Sequence, residues 1–207
     1  MPYALDFATL PPDAMFESRS LLLGLPKSLE ARLVQLPQVL ERVRSASRFA
    51  DVSSKQEESW LAAAYLRAAL ADYCSIEEMQ KVDRPSATHL RISGLANPLF
   101  HLLELMRHLN VHVKSVQAER HTVEASFREQ SFDLDVQIVS NLDVQDLAAL
   151  KNGKNYTPAD LQRMVDWFQR VQVHWGAGYV VRFGIESLAE LLCSHYRLCV
   201  RSRMIPH

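Results

Sequence analysis

Trp60-Leu61-Ala62-Ala63-Ala64-Tyr65-Leu66-Arg67-Ala68-Ala69-Leu70 decides the fold class. The run is dense in strong helix formers and apolar on most of its faces, so it predicts a helix at the centre of a bundle. Its alanines let a neighbour approach closely. Ser53 followed by Gln56 predicts a capping box at its start, each side chain satisfying one backbone donor.

Toward the N-terminus, Leu29, Leu33, Leu36, Leu40 and Val43 recur at three- and four-residue steps. That period predicts helix over residues 27–48, kinked or split at Pro37, which removes a backbone donor and clashes with the preceding turn. Residues 1–26 are rich in proline and read as an arm that docks Phe7, Phe16 and the triplet Leu21, Leu22, Leu23 on the body.

Toward the C-terminus, a loop over 81–95 leads to Asn97-Pro98, an N-cap with proline in the first helical position. The helix that follows turns Leu99, Leu102, Leu103, Met106 and Leu109 to the core and is expected to end near Asn110. From Val111 the period changes to two. Segments 111–117, 122–127 and 132–139 predict a three-stranded antiparallel meander. A short helix is expected over 144–150. Thr157-Pro158-Ala159-Asp160 starts another, which runs to Trp175 and stops at Gly176 and Gly178. A last helix is expected from Tyr179 to Tyr196, weakened by Gly184. The expected architecture is mainly α: an arm over 1–26, one helical domain over 27–196 with a β insertion at about 111–139, and a basic tail over 197–207.

Composition excludes several function classes. With 23 basic and 24 acidic side chains the formal net charge is −1, so nothing draws the whole chain to nucleic acid, and such a role needs a local patch. Cys74, Cys193 and Cys199 lack metal-ligand spacing and read as reduced, buried thiols. No apolar run reaches spanning length, and Asp6, Pro11, Pro12 and Asp13 argue against a signal peptide, so a cytoplasmic protein is expected. Trp60, Trp167 and Trp175 read as core or interface. Glu57, Glu58, Glu77 and Glu78 read as solvated or dipole-facing acids at helix ends.

The chemistry concentrates in Leu105-Met106-Arg107-His108-Leu109-Asn110-Val111-His112. Arginine offers a planar fork of donors that fits two phosphate oxygens, and histidine exchanges protons near neutrality. On an unbroken helix Arg107 and His112 would point about 140° apart, so a shared cleft requires a break, expected at Asn110-Val111. The spacing R-x4-H, with polar His108 directly after the arginine, resembles the signature of the HEPN superfamily.

That resemblance implies a helical bundle that dimerises and, for many members, a metal-independent RNA endonuclease of toxin or defence systems, without a cofactor. It assigns His112 as general acid or base, Arg107 as the group neutralising charge on the phosphate, and His108 as the residue that orients its neighbour. Two features depart from the pattern: Lys114 stands where several toxins of the family carry tyrosine, and a meander follows the motif directly. Two other readings remain. His101, Glu104, His108 and His112 would form one metal-binding face if the helix continued to His112. Alternatively the bundle is a catalytically silent module for a protein partner, with an edge strand open to pairing.

Overall fold

The first helical stretch divides at Pro37, the second of the two outcomes its sequence predicts. In the computed structural model, which describes residues 2–12, 25–127 and 130–199, α1 spans Lys27–Leu33 and α2 spans Pro37–Ser54. Proline stands at the first turn of α2, where a missing donor costs nothing. The Asp83 carboxylate accepts from the backbone N–H groups of Gln38 (3.2 Å) and Val39 (2.9 Å) and so caps α2 from another element.

The central helix α3, Ser59–Asp83, supplies that aspartate from its last residue. Ser53 and Gln56 do not open it, contrary to the capping-box expectation. Ser53 lies buried in the last turn of α2, and its Oγ donates to the carbonyl of Ala62 at 2.8 Å. The hydroxyl that could have capped one helix instead ties two together. Ala62, Ala63, Leu66, Ala69 and Leu70 are buried, whereas Trp60 is 68% exposed and stands outside the core.

Helix α4, Pro98–His112, begins as predicted, with Asn97 accepting from Leu99 N–H at 2.9 Å. It does not end at Asn110. The Asn110 amide donates to the Met106 carbonyl (2.9 Å) and accepts from Val116 N–H (2.6 Å). It thus closes a helical turn and anchors the departing chain rather than taking the left-handed conformation. Residues 113–117 form no strand, so the meander reduces to a two-stranded antiparallel hairpin, β1 (Ala118–Phe127) with β2 (Gln130–Val139). The alternation that suggested a third strand belongs to a helix end and a loop whose Val111 and Val113 face solvent.

After the hairpin come α5 (Val144–Ala149), a 3-10 turn over Asn152–Asn155, α6 (Pro158–Trp175) and α7 (Ala177–His195). Thr157 accepts from Asp160 N–H at 3.1 Å, the predicted start of α6. Helix α7 starts two residues before the expected Tyr179. Gly184 does not interrupt it: a Cβ there would lie 2.5 Å from a Leu103 methyl, so the glycine lets α7 press onto α4. Arg182 on α7 bonds Glu186 (2.8 Å) and Asp51 of α2 (2.6 Å), a largely buried ion network between the two helices.

One hydrophobic core, including Leu33, Val43, Leu70, Tyr73, Leu102, Met106, Phe168 and Ile185, joins the helices. The arm docks on it: Tyr3 N–H donates to Asn155 O (2.9 Å), Asp6 N–H to Ala96 O (2.8 Å), and the Arg163 guanidinium sits 3.7 Å from the centre of the Phe7 ring. Phe16 and Leu21–Leu23 of the expected arm lie outside the described residues, as do Arg201 and Arg203 of the tail. Of the three cysteines, Cys193 is buried and Cys74 half-buried, but Cys199 is exposed, following the chain out past α7. Among the described residues, no helix is long and apolar enough to cross a membrane.

Candidate functional site

Positions 104, 108 and 112 fall on one stripe of α4, with 107 on the adjacent stripe. The helix is unbroken through His112, so Arg107 and His112 leave it about 140° apart. The expected break at Asn110-Val111 is absent, because the Asn110 side chain stabilises the turn it was expected to end. Within one chain, His108 rather than His112 meets the arginine: Arg107 Nη1 lies 3.5 Å from His108 Nδ1. His112 is exposed at the helix end, its ring nearly parallel to that of His108, with 6.0 Å between centroids.

The other side of His108 faces two groups. Glu104 Oε1 lies 3.8 Å from Nε2. Asn152 Nδ2 lies 3.1 Å from the same atom, brought by the 3-10 turn after α5. That turn is tight because Gly153 abuts the Leu147 carbonyl where a Cβ would stand. Lys114 forms an ion pair with Asp146 of α5, holding the loop after α4 beside the turn.

The electrostatics follow from partial burial. Burial pushes the His108 imidazole below the usual histidine range, and the positive charges of Arg107 and His112 push it the same way. Burial raises the Glu104 carboxyl, Glu77 adds to the rise, and Arg107 counters it. The Cys74 thiol behind them is pushed up to about 12, by burial first and then by Glu104, so it is no nucleophile. Arg107 itself is half-buried. Its Nε is fully enclosed without a hydrogen-bond partner, and among the described residues no carboxylate oxygen lies within 4.0 Å of its guanidinium.

The rival metal face comes apart at His101. The helix does continue to His112, yet His101 is buried with both ring nitrogens engaged, Nδ1 on the Tyr156 hydroxyl (2.9 Å) and Nε2 on the Leu95 carbonyl (2.7 Å). Among the described residues no three His, Cys, Asp or Glu side chains gather to hold a metal ion. Glu77 also departs from its reading as a solvated acid, since it accepts from the backbone N–H of Ile92. Asn152 escaped sequence reasoning because its approach to His108 spans 44 positions. Its only local signal is the polar Asn-Gly pair of the turn.

The arrangement sets a guanidinium that has no carboxylate within ion-pair distance among the described residues beside an imidazole that favours its neutral form. Comparison with protein-family models, with curated proteins and with solved structures finds no match.

Proposed function

We propose that this chain is a metal-independent RNA endonuclease on a HEPN-like helical domain, acting as a homodimer that sets two copies of the Arg107/His108/His112 motif against one substrate. One observation supports the reading above others: Arg107 is half-buried and has no carboxylate counter-ion within ion-pair distance among the described residues. Arginines held between carboxylates serve structure, as Arg182 does here. An arginine without one has donors left for phosphate.

In this mechanism Arg107 takes two non-bridging oxygens and offsets the charge that builds on them in the transition state. A neutral imidazole of the His108/His112 pair removes the proton of the ribose 2′-hydroxyl, and the 2′-oxygen bonds to phosphorus. The P–O5′ bond breaks and the leaving oxygen receives a proton from an imidazolium. The internal nucleophile already lies beside the phosphorus, which removes the need to activate water. The products carry 2′,3′-cyclic phosphate and 5′-hydroxyl ends.

A second reading, the catalytically silent interaction module, draws on exposed Val111 and Val113 next to the motif, an apolar rim suited to a protein partner. A mixed RNA pool separates the two. The wild type should produce cyclic-phosphate ends in the presence of EDTA. Arg107→Ala and His112→Ala should each lose about a hundredfold or more, with circular dichroism unchanged, and Arg107→Lys should not restore full rate because an ammonium lacks the fork. A folded wild type inert on every RNA removes the nuclease reading in favour of the module, and loss of activity to EDTA revives the metal face. Sedimentation velocity showing a monomer at micromolar concentration removes the homodimer.

A further inference from the structure

His108 sits between groups that make incompatible demands as their atoms stand. Arg107 Nη1, 3.5 Å from Nδ1, can only donate, and so can Asn152 Nδ2, 3.1 Å from Nε2. A neutral imidazole has one N–H and one lone pair, so it cannot accept from both sides. One partner must present a different atom. The guanidinium has no acceptor to present and does not give up its proton. The Asn152 amide can exchange its oxygen and nitrogen by a half-turn, since the two look alike in shape. Its side chain makes no other hydrogen bond among the described residues, so the half-turn breaks nothing.

The surrounding charges agree. The 3.5 Å approach of Arg107 lies at the outer edge of hydrogen bonding, yet a cation there opposes a proton on Nδ1 at any strength of contact. Glu104 Oε1, 3.8 Å from Nε2, favours a proton on that atom. The His112 ring lies nearly parallel to that of His108, further off, with 6.0 Å between centroids.

We infer that Asn152 turns its Oδ1 to His108 and fixes the ring as the Nε2–H tautomer, which leaves the Nδ1 lone pair beside Arg107 as the base of the site. Asn152 is then a positioning residue, not a catalytic one. A phosphodiester held on Arg107 presents its neighbouring 2′-hydroxyl to Nδ1, and when the proton arrives there the Nε2–H remains on the Asn152 oxygen with Glu104 behind it. His112 is left as the second proton carrier, at the open end of the helix. The choice of Nδ1 as base rests on the nuclease reading; the tautomer does not.

The test is nitrogen-15 NMR of the full chain labelled at histidine, with the His108 signals assigned from His108→Gln, at a pH where the ring is neutral. The expected result is a protonated Nε2 and a lone-pair Nδ1 in the wild type. Asn152→Ala should move the ring toward a mixture of tautomers and lower kcat on RNA by about tenfold with KM unmoved, the scale of lost second-layer support. Asn152→Asp, which keeps the size and the acceptor, should retain the Nε2–H tautomer and raise the His108 titration midpoint; it carries the test if the alanine variant does not fold. A wild-type ring protonated at Nδ1 overturns the inference, as does an Asn152→Ala variant that keeps the tautomer whole. A wild type with the Nε2–H tautomer that cleaves no RNA overturns the nuclease reading and leaves the tautomer assignment standing.

Discussion

Most buried polar groups of this protein are satisfied, and Arg107 is a conspicuous exception. Tyr73 is fully buried, but its hydroxyl donates to the Phe100 carbonyl at 3.2 Å. His101 is buried with both nitrogens bonded. Among the described residues Arg107 Nε has no partner, a state it shares with Ser47 Oγ. An enclosed donor left unmade costs about 1–3 kcal/mol, so the fold holds Arg107 at the expense of stability. Arg107→Met, which keeps the apolar stem and removes the nitrogens, should therefore be neutral or up to about 1 kcal/mol more stable by denaturant midpoint. It should also bind no phosphate. A variant less stable by more than that shows the guanidinium to be structural, and the case for a site at this residue weakens with it.

At the scale of elements, close helix contacts rest on the absence of side chains. At Gly178 a Cβ would lie 2.4 Å from Ser54 Oγ and 2.5 Å from the Ala50 carbonyl, so α7 packs on the end of α2 through that glycine. Gly178→Ala should cost about 1–3 kcal/mol, the usual penalty of overpacking. Gly94→Ala, with nothing within 4 Å, should stay within about 0.5 kcal/mol. Equal thermal midpoints for the two variants would refute the contact. The glycine's role was not legible in the chain, although the helix around it was. Asn97-Pro98 and Thr157-Pro158 announced their helices because a cap is made by side chains within a turn of the backbone they serve. Ser53 misled because a hydroxyl that can cap can equally reach another helix, and only the tertiary fold decides. Arg107, His108 and His112 were readable as a group of residue types. Their geometry was not, since it depends on whether Asn110 bonds backward to Met106 or ends the helix. Asn152 lay beyond any local reading.

Over the whole molecule, glutamines and the arm join parts that are distant in the chain. Gln172 of α6 accepts from Val139 N–H (2.7 Å) and donates to Val139 O (2.9 Å), and Gln137 donates to the Gln56 carbonyl at 2.9 Å, so the base of the hairpin is fastened to α6 and to the loop between α2 and α3. The arm closes a long stretch of chain: its Tyr3 hydroxyl accepts from Asn155, 152 positions away, beside the backbone bond between the same residues. That separation has a consequence for the order of assembly. Closing so long a loop gains nothing until the turn at Asn155 and the loop at Ala96 have already been placed by the helices. The arm therefore docks after the folding barrier is crossed, and it acts as a brake on opening rather than an aid to forming. Removing residues 1–12 should speed unfolding in stopped-flow experiments and leave the refolding rate unchanged, the signature of contacts absent from the transition state. A parallel slowing of refolding would place the arm in the nucleus instead. With refolding unchanged, the arm governs how long the native state lasts, not how fast it is reached.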